Sequence, residues 1–171
     1  MLIVDSQLHI WKGVMLNKTH RQVETYSKDD LIAEMATADV DAVLLHPPGS
    51  WAGGNALAEE AAVAHPDKFA VLGNFDLGLG PQPDLVRHWL ERPGQVGLRF
   101  NFMQEHQRSW PTDGSIDWVW PEAEKAGIPV GLLAHLFLPK CAEIAAKHPG
   151  LRLLIDHMGV APTSKDAEAF A

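Results

Sequence analysis

The sequence predicts an α/β fold in which parallel strands, each followed by a helix, repeat in six successive βα units. Three observations carry that reading. Short apolar runs alternate with longer helical patterns along all 171 residues, with no stretch that reads as a linker. Each unit takes about 30 residues, the usual length of a βαβ step. The strand runs are continuously apolar and not alternating, as strands buried on both faces must be. Strand count alone favours an open, doubly wound sheet, because a closed parallel barrel needs eight strands in roughly 250 residues.

The elements follow in order. Strand one covers residues 2–5, and a polar loop runs over 12–26. Ser27 opens a helix as its N-cap, with Asp30 three residues on as the capping-box partner. Leu31, Ile32 and Met35 give that helix an apolar face. Strand two is 42–45, stopped by Pro47 and Pro48. Asn55 caps a second helix that runs through Ala64 and is ended by Pro66. Strand three is 69–74; a helix over 83–91 ends before Pro93 and Gly94, and strand four follows at 96–100. A long loop with Trp110, Pro111, Asp113 and Gly114 leads to a helix over 117–126, closed by Gly127. Strand five is 129–133. Pro139 suits the first turn of a helix that reaches His148 and stops at Pro149-Gly150. Strand six is 151–155, and residues 160–171 read as a loop entering one more helix at Asp166.

Length and composition narrow the function. The chain is one domain by length, with 46% hydrophobic and 21% charged residues, as in an ordinary soluble protein. A net charge of -8 without a basic run argues against nucleic acid or an anionic membrane as partner. The partner expected is a small-molecule substrate, with a homo-oligomer left open. A single cysteine, Cys141, excludes an internal disulfide framework and suits a reducing cytoplasm. The opening residues have no basic n-region and carry Asp5 early, so they do not read as a signal peptide.

Four of the nine histidines stand at or just past a strand end: His9, His46, His135 and His157. Parallel strands point their C-terminal ends one way, so these residues are expected to converge on one mouth. A histidine there can ligate a metal or move a proton near neutral pH. His20, His65, His88, His106 and His148 fall in helices or loops and read as solvated. Cys141 reads as a packing residue.

Three segments carry chemistry. The first is Ile3-Val4-Asp5-Ser6-Gln7-Leu8-His9-Ile10-Trp11, in which Gln7 and His9, two apart in extended chain, share a side. The second is Ile155-Asp156-His157-Met158-Gly159, and the third Val96-Gly97-Leu98-Arg99-Phe100-Asn101. In their order along the chain, each at a strand end, they resemble the amidohydrolase superfamily. More narrowly, they are similar to its amidohydrolase-related branch of 2-pyrone-4,6-dicarboxylate lactonase, sugar lactonases and carboxy-semialdehyde decarboxylases. The resemblance implies a (β/α)8 TIM-barrel type, of which this chain supplies about six units. It turns the fold reading from the open sheet to the barrel.

The resemblance also implies roles. His9 and His157 are the catalytic candidates, handling proton transfer and polarising a carbonyl. Gln7, Arg99, Asn101 and His46 are the substrate contacts; Arg99 offers a fork for a carboxylate or lactone carbonyl, or pairs with a nearby aspartate. Asp156 would support a reacting group from behind and not act as nucleophile. The activity expected is hydrolysis of a small, carboxylated cyclic ester or a related C–O or C–N bond. The rivals are a metal-dependent decarboxylase or hydratase of the same fold and a degenerate, non-catalytic barrel. A nucleotide-binding domain lacks its glycine-rich signature here.

Any metal would be one divalent ion such as zinc, held by His9, His135 and His157. Where the family has its first strand-one histidine this chain has Gln7, and an amide is a poor transition-metal ligand. No tight transition metal is therefore expected. The family's strand-eight aspartate has no counterpart in these residues, so the chain is expected to be the N-terminal part of a longer barrel. Such a fragment alone is expected to be poorly stable and inactive.

Overall fold

A computed structural model describes residues 1–18, 20–49 and 51–161. The expected helix at Asp166 lies outside the described residues. The chain forms two compact units: Met1–Asn74 with Leu90–Val96, and Phe75–Trp89 with the residues from Gly97 on. No described helix is long and apolar enough to cross a membrane.

The first unit holds β1 (Val4–Leu8), α1 (Lys28–Thr37), β2 (Ala42–Leu45), α2 (Gly54–Ala64) and β3 (Phe69–Asn74). Its three strands lie parallel in sequence order. Strand one therefore sits later than expected. Its partner β2 begins at Ala42, opposite Val4, and pairs on to Leu45, opposite Leu8. Pairing with β2 thus carries the polar Ser6 and Gln7 into the strand, overriding their weak propensity. A register shift between Asp5 and Leu8 interrupts the regular alternation there.

Ser27 caps α1 as expected. Its hydroxyl accepts from the Asp30 amide at 3.2 Å, and the Asp30 carboxylate accepts from the Ser27 amide at 2.8 Å. Asn55 is not a cap. Gly53 occupies that position, and Asn55 is already in the helix. Its carboxamide is committed elsewhere, donating to the Asn74 carbonyl at 2.7 Å and accepting from the Asn74 amide at 2.9 Å. The core of this unit includes Trp11, Tyr26, Leu31, Met35, Val43, Leu45, Ala58 and Val71.

Hydrogen bonds tie together the two ends of the polar loop between Trp11 and Tyr26. Trp11 and Tyr26 exchange two backbone hydrogen bonds of 3.0 Å in an isolated antiparallel bridge. The Trp11 indole donates to the Val23 carbonyl, and the Gly13 amide to the Thr25 hydroxyl. The Arg21 guanidinium lies 4.7 Å over the Tyr26 ring and pairs with Glu34.

The second unit holds α3 (Pro83–Arg87), most of β4 (Gln95–Phe100), α4 (Trp110–Asp113), α5 (Val119–Ala126), β5 (Val130–Leu132), α6 (Leu138–Lys147) and β6 (Leu153–Ile155). Strands β4, β5 and β6 are parallel and adjacent in that order. The helix expected over 83–91 is α3 followed by a separate 3-10 turn at Trp89–Glu91. Trp89 is buried, with its indole on the Gly97 carbonyl, and seating it there breaks the regular helix. The expected loop at Trp110 contains the one-turn α4, ended by Gly114 in the left-handed conformation at φ 83°. Its core gathers Phe75, Trp89, Phe100, Trp120, Phe137 and Cys141. Burial pushes the Cys141 thiol pKa up, which suits its expected packing role.

Candidate functional site

In the first unit, the ends of β1 and β2 bring His9 and His46 together. The His46 amide donates to the Leu8 carbonyl at 2.8 Å, continuing the strand pairing by one residue. The His46 carbonyl then accepts from Nδ1 of His9 at 2.5 Å. A carbonyl has no proton to give, so the neutral His9 ring carries its proton on Nδ1 and its lone pair on Nε2. The His46 side chain is buried, and its ring stands edge-on to that of His9 at 6.5 Å. Within β1 the Asp5 carboxylate accepts from the Gln7 amide at 2.9 Å.

A third imidazole joins them. The ring centroid of His20 lies 5.1 Å from that of His9 and 6.3 Å from that of Trp11. His20 lies in a loop and is partly exposed, as expected, and its ring packs on those of His9 and Trp11. It carries no helical or strand periodicity, so its place is set by the pinned loop alone. The Trp11–Tyr26 bridge that closes the loop is not written in any local motif.

In the second unit, Arg99 on β4 meets Asp156, the residue after β6. Nε and Nη2 of Arg99 both donate to Oδ2 of Asp156, at 2.9 and 2.8 Å, with both side chains at most 7% exposed. This is the pairing that the sequence left open for Arg99. Two of its donors are committed to an anion, and the pair is neutral as a unit. The Asn101 side-chain oxygen accepts from the Met103 amide at 3.2 Å.

His157 follows Asp156 in a strained backbone. His157 and Met158 have φ of 51° and 56°, both left-handed, and Gly159 continues at 76°. Left-handed geometry costs an L-residue roughly 1–2 kcal/mol, and such strain gathers at functional sites. His157 is exposed. His135 lies in the turn after β5, with Nδ1 buried and without a hydrogen-bond partner. His148 is also misread as solvated: its Nδ1 contacts Glu124 at 3.1 Å.

Gln7, His9 and His46 thus belong to the first unit, and Arg99, Asn101, His135 and His157 to the second. Among the described residues, no three His, Cys, Asp or Glu side chains form a group that could hold a metal ion.

The sequence matches the family described as Amidohydrolase over residues 4–171. No curated protein matches it. Solved structures do. One is a probable 2-pyrone-4,6-dicarboxylic acid hydrolase from Acinetobacter baumannii with citric acid bound, at 20% identity and a TM-score of 0.69, covering 95% of this chain and 61% of that one. Another is an amidohydrolase from Burkholderia multivorans with bound zinc, at 20% identity and 0.72, covering 93% and 58%. A third is a variant 5-carboxyvanillate decarboxylase from Novosphingobium aromaticivorans, with manganese and 3-methoxy-4-hydroxy-5-nitrobenzoic acid, at 13% identity and 0.67, covering 92% and 66%. The chain thus spans about three fifths of the length of the first two. At these identities the likeness is one of fold. That fold is the (β/α)8 barrel type, of which this chain supplies six βα units.

Proposed function

The chain belongs to the amidohydrolase family, and from that premise we propose that the whole protein is a hydrolase of a small cyclic ester or a related C–O or C–N bond. The observation that carries this reading is the hydrogen bond from His9 to the His46 carbonyl. It fixes the tautomer that puts the lone pair on Nε2, the form a general base needs. His9 takes the proton of a water, and His157 polarises the substrate carbonyl or returns the proton to the leaving group. The whole protein's strand-eight aspartate, implied by the family resemblance, completes the activation of that water. Gln7, Asn101 and His46 contact the substrate.

The Arg99–Asp156 pair sharpens the substrate class. A guanidinium already neutralised by a carboxylate suits a carbonyl oxygen better than a second full anion. Arg99 therefore meets the ester carbonyl, and a substrate carboxylate is met elsewhere. The test is hydrolysis of 2-pyrone-4,6-dicarboxylate and of simple sugar lactones by the full-length protein. His9→Ala is expected to lower kcat/KM by about a hundredfold or more, the range for a lost general base. Full activity in that variant would remove His9 from the chemistry.

A second reading is decarboxylation of an aromatic acid, favoured by the manganese-bound decarboxylase among the similar structures. Release of CO2 from a carboxylated phenol, dependent on added manganese, would select it.

A further inference from the structure

We propose that Asn74 is a specificity-determining residue, whose side-chain oxygen accepts a hydrogen bond from a substrate hydroxyl. Asn74 belongs to none of the three motifs that carry chemistry in the sequence. The proposal rests on the strand ends being the substrate mouth, and it deepens that reading by naming a group the substrate carries.

Asn74 is the last residue of β3, at the end of the strand where parallel α/β folds place their chemistry. Phe69 and Val71 of the same strand pack in the core with Ala58, Ala61 and Ala62 of α2. Alternation along the strand then sets Leu72 and Asn74 on the other face, which in a parallel barrel is the interior. Hydrogen bonds fix the residue there. Its amide donates to Oδ1 of Asn55 at 2.9 Å, and its carbonyl accepts from Nδ2 of Asn55 at 2.7 Å. Its own Nδ2 donates to the Pro47 carbonyl at 2.9 Å. A carbonyl only accepts, so the atom against Pro47 is the nitrogen, and Oδ1 is the group left over. Among the described residues no donor meets that oxygen. Asn74 is half-buried, and its Oδ1 remains open to solvent.

The support is rigid. Pro47 and Pro48 are both buried. The ring of Pro47 fixes its φ, and the proline after it holds it in extended backbone. The carbonyl just before, that of His46, accepts from His9. Successive residues thus anchor His9 and Asn74, with Cα atoms about 3.8 Å apart, so one small cyclic substrate reaches both. What the oxygen selects follows from its chemistry. With its NH2 group committed to Pro47, Asn74 offers an acceptor and no spare donor in that direction. A hydroxyl has a proton for it. A carboxylate at neutral pH has none and sets oxygen against oxygen. A substrate without the hydroxyl leaves the acceptor unpaired, which is how polar sites reject analogues. The substrate class is therefore a hydroxyl-bearing ring, and 2-pyrone-4,6-dicarboxylate, which has carboxylates and no hydroxyl, is disfavoured.

The test uses the full-length protein, with hydroxylated cyclohexanones as probes. These keep a ring and a carbonyl but have no ester bond, so binding is read apart from hydrolysis. By calorimetry, removing one of the ring hydroxyls should weaken binding about tenfold or more. Replacing the same hydroxyl by a methoxy group, an acceptor without a proton, should weaken it as much. Asn74→Ala should bind the full probe and that deoxy analogue equally, because two deletions of one contact are not additive. A merely structural role would weaken both compounds alike and keep their ratio. In parent protein carrying carbon-13 asparagine, the side-chain carbonyl resonance of Asn74 should shift with the full probe and not with the deoxy analogue. A ratio preserved in Asn74→Ala, a carbonyl resonance that does not respond, no single hydroxyl whose loss matters, or no binding at millimolar probe would each overturn the proposal. Hydrolysis is scored separately: hydroxyl selection by Asn74 without any lactone hydrolysis would remove the hydrolytic reading and leave this one standing.

Discussion

The two units hold their strand-end polar groups by different physics. In the first, His9 is oriented by a neutral carbonyl, and the rings of His46 and His20 are its neighbours. In the second, Arg99 is oriented by a buried carboxylate, and the adjoining His157 stands on strained backbone. A neutral hydrogen bond is inexpensive to bury. A buried ion pair is the opposite. Its two desolvated charges depend on one another, and each is a liability without its partner.

The largest expected effect tests that contrast. Asp156→Ala leaves the Arg99 guanidinium buried and unpaired, and should destabilise the fold by about 3–5 kcal/mol. The double variant Arg99→Met with Asp156→Leu removes both charges and should recover most of that loss. The matching change in the first unit, His9→Ala, removes one neutral hydrogen bond and should cost only about 1 kcal/mol. Urea denaturation of the three variants reads the ordering directly. Equal losses from Asp156→Ala and His9→Ala would mean that the ion pair is solvated in solution and that the contrast fails.

A smaller effect isolates the strain beside the pair. Met158 is 80% exposed, so its side chain contributes little packing, yet its φ is 56°. Met158→Gly removes a left-handed penalty of roughly 1–2 kcal/mol, offset in part by the extra chain entropy of glycine. A net gain of about 1 kcal/mol is expected, seen as a higher urea midpoint at unchanged slope. A loss of stability would mean that the Met158 side chain makes a contact that outweighs the strain.

How much of this could be read from the sequence follows the same division between local and long-range causes. Strand ends β2 and β3, the Ser27–Asp30 capping box and the stop at Pro149 are local, and the structure has them where the sequence put them. The start of β1 was misplaced because it is set by its partner at Ala42 and not by its own residues. Asn55 was misassigned as a cap because its side chain is claimed by Asn74, nineteen residues away. The site shows the same pattern. The strand-end position made His9, Arg99 and His157 visible as candidates. That Asp156 would take up two donors of Arg99 was only one of two readings, since adjacency in a motif does not say which side chain reaches across strands. His20 was out of reach, because a polar loop carries no period and its closure rests on the Trp11–Tyr26 bridge.

The smallest effect separates the units by pH and salt. Both contain a glutamate held below its ordinary pKa. For Glu34 in the first unit the chief cause is the Arg21 side chain, followed by the Tyr26 hydroxyl. The same contact, after burial, helps push that hydroxyl's pKa up to about 12. For Glu124 in the second unit the chief cause is the Gly150 amide, which donates to Oε1 at 2.7 Å, followed by His148. A carboxylate with a lowered folded pKa adds stability that is present above its ordinary value of 4.5 and is lost as the pH falls through the folded value. Glu34→Gln and Glu124→Gln should therefore each flatten the loss of stability below about pH 4.5, relative to the parent. Salt should tell them apart. A side-chain ion pair half exposed to water is screened at high ionic strength, whereas a hydrogen bond from a backbone amide has no net charge to screen. Raising sodium chloride from low levels to about 1 M, where the screening length falls to roughly 3 Å, should erase most of the difference between parent and Glu34→Gln. It should leave most of that between parent and Glu124→Gln. Equal salt sensitivity of the two would show that His148, and not the Gly150 amide, dominates at Glu124.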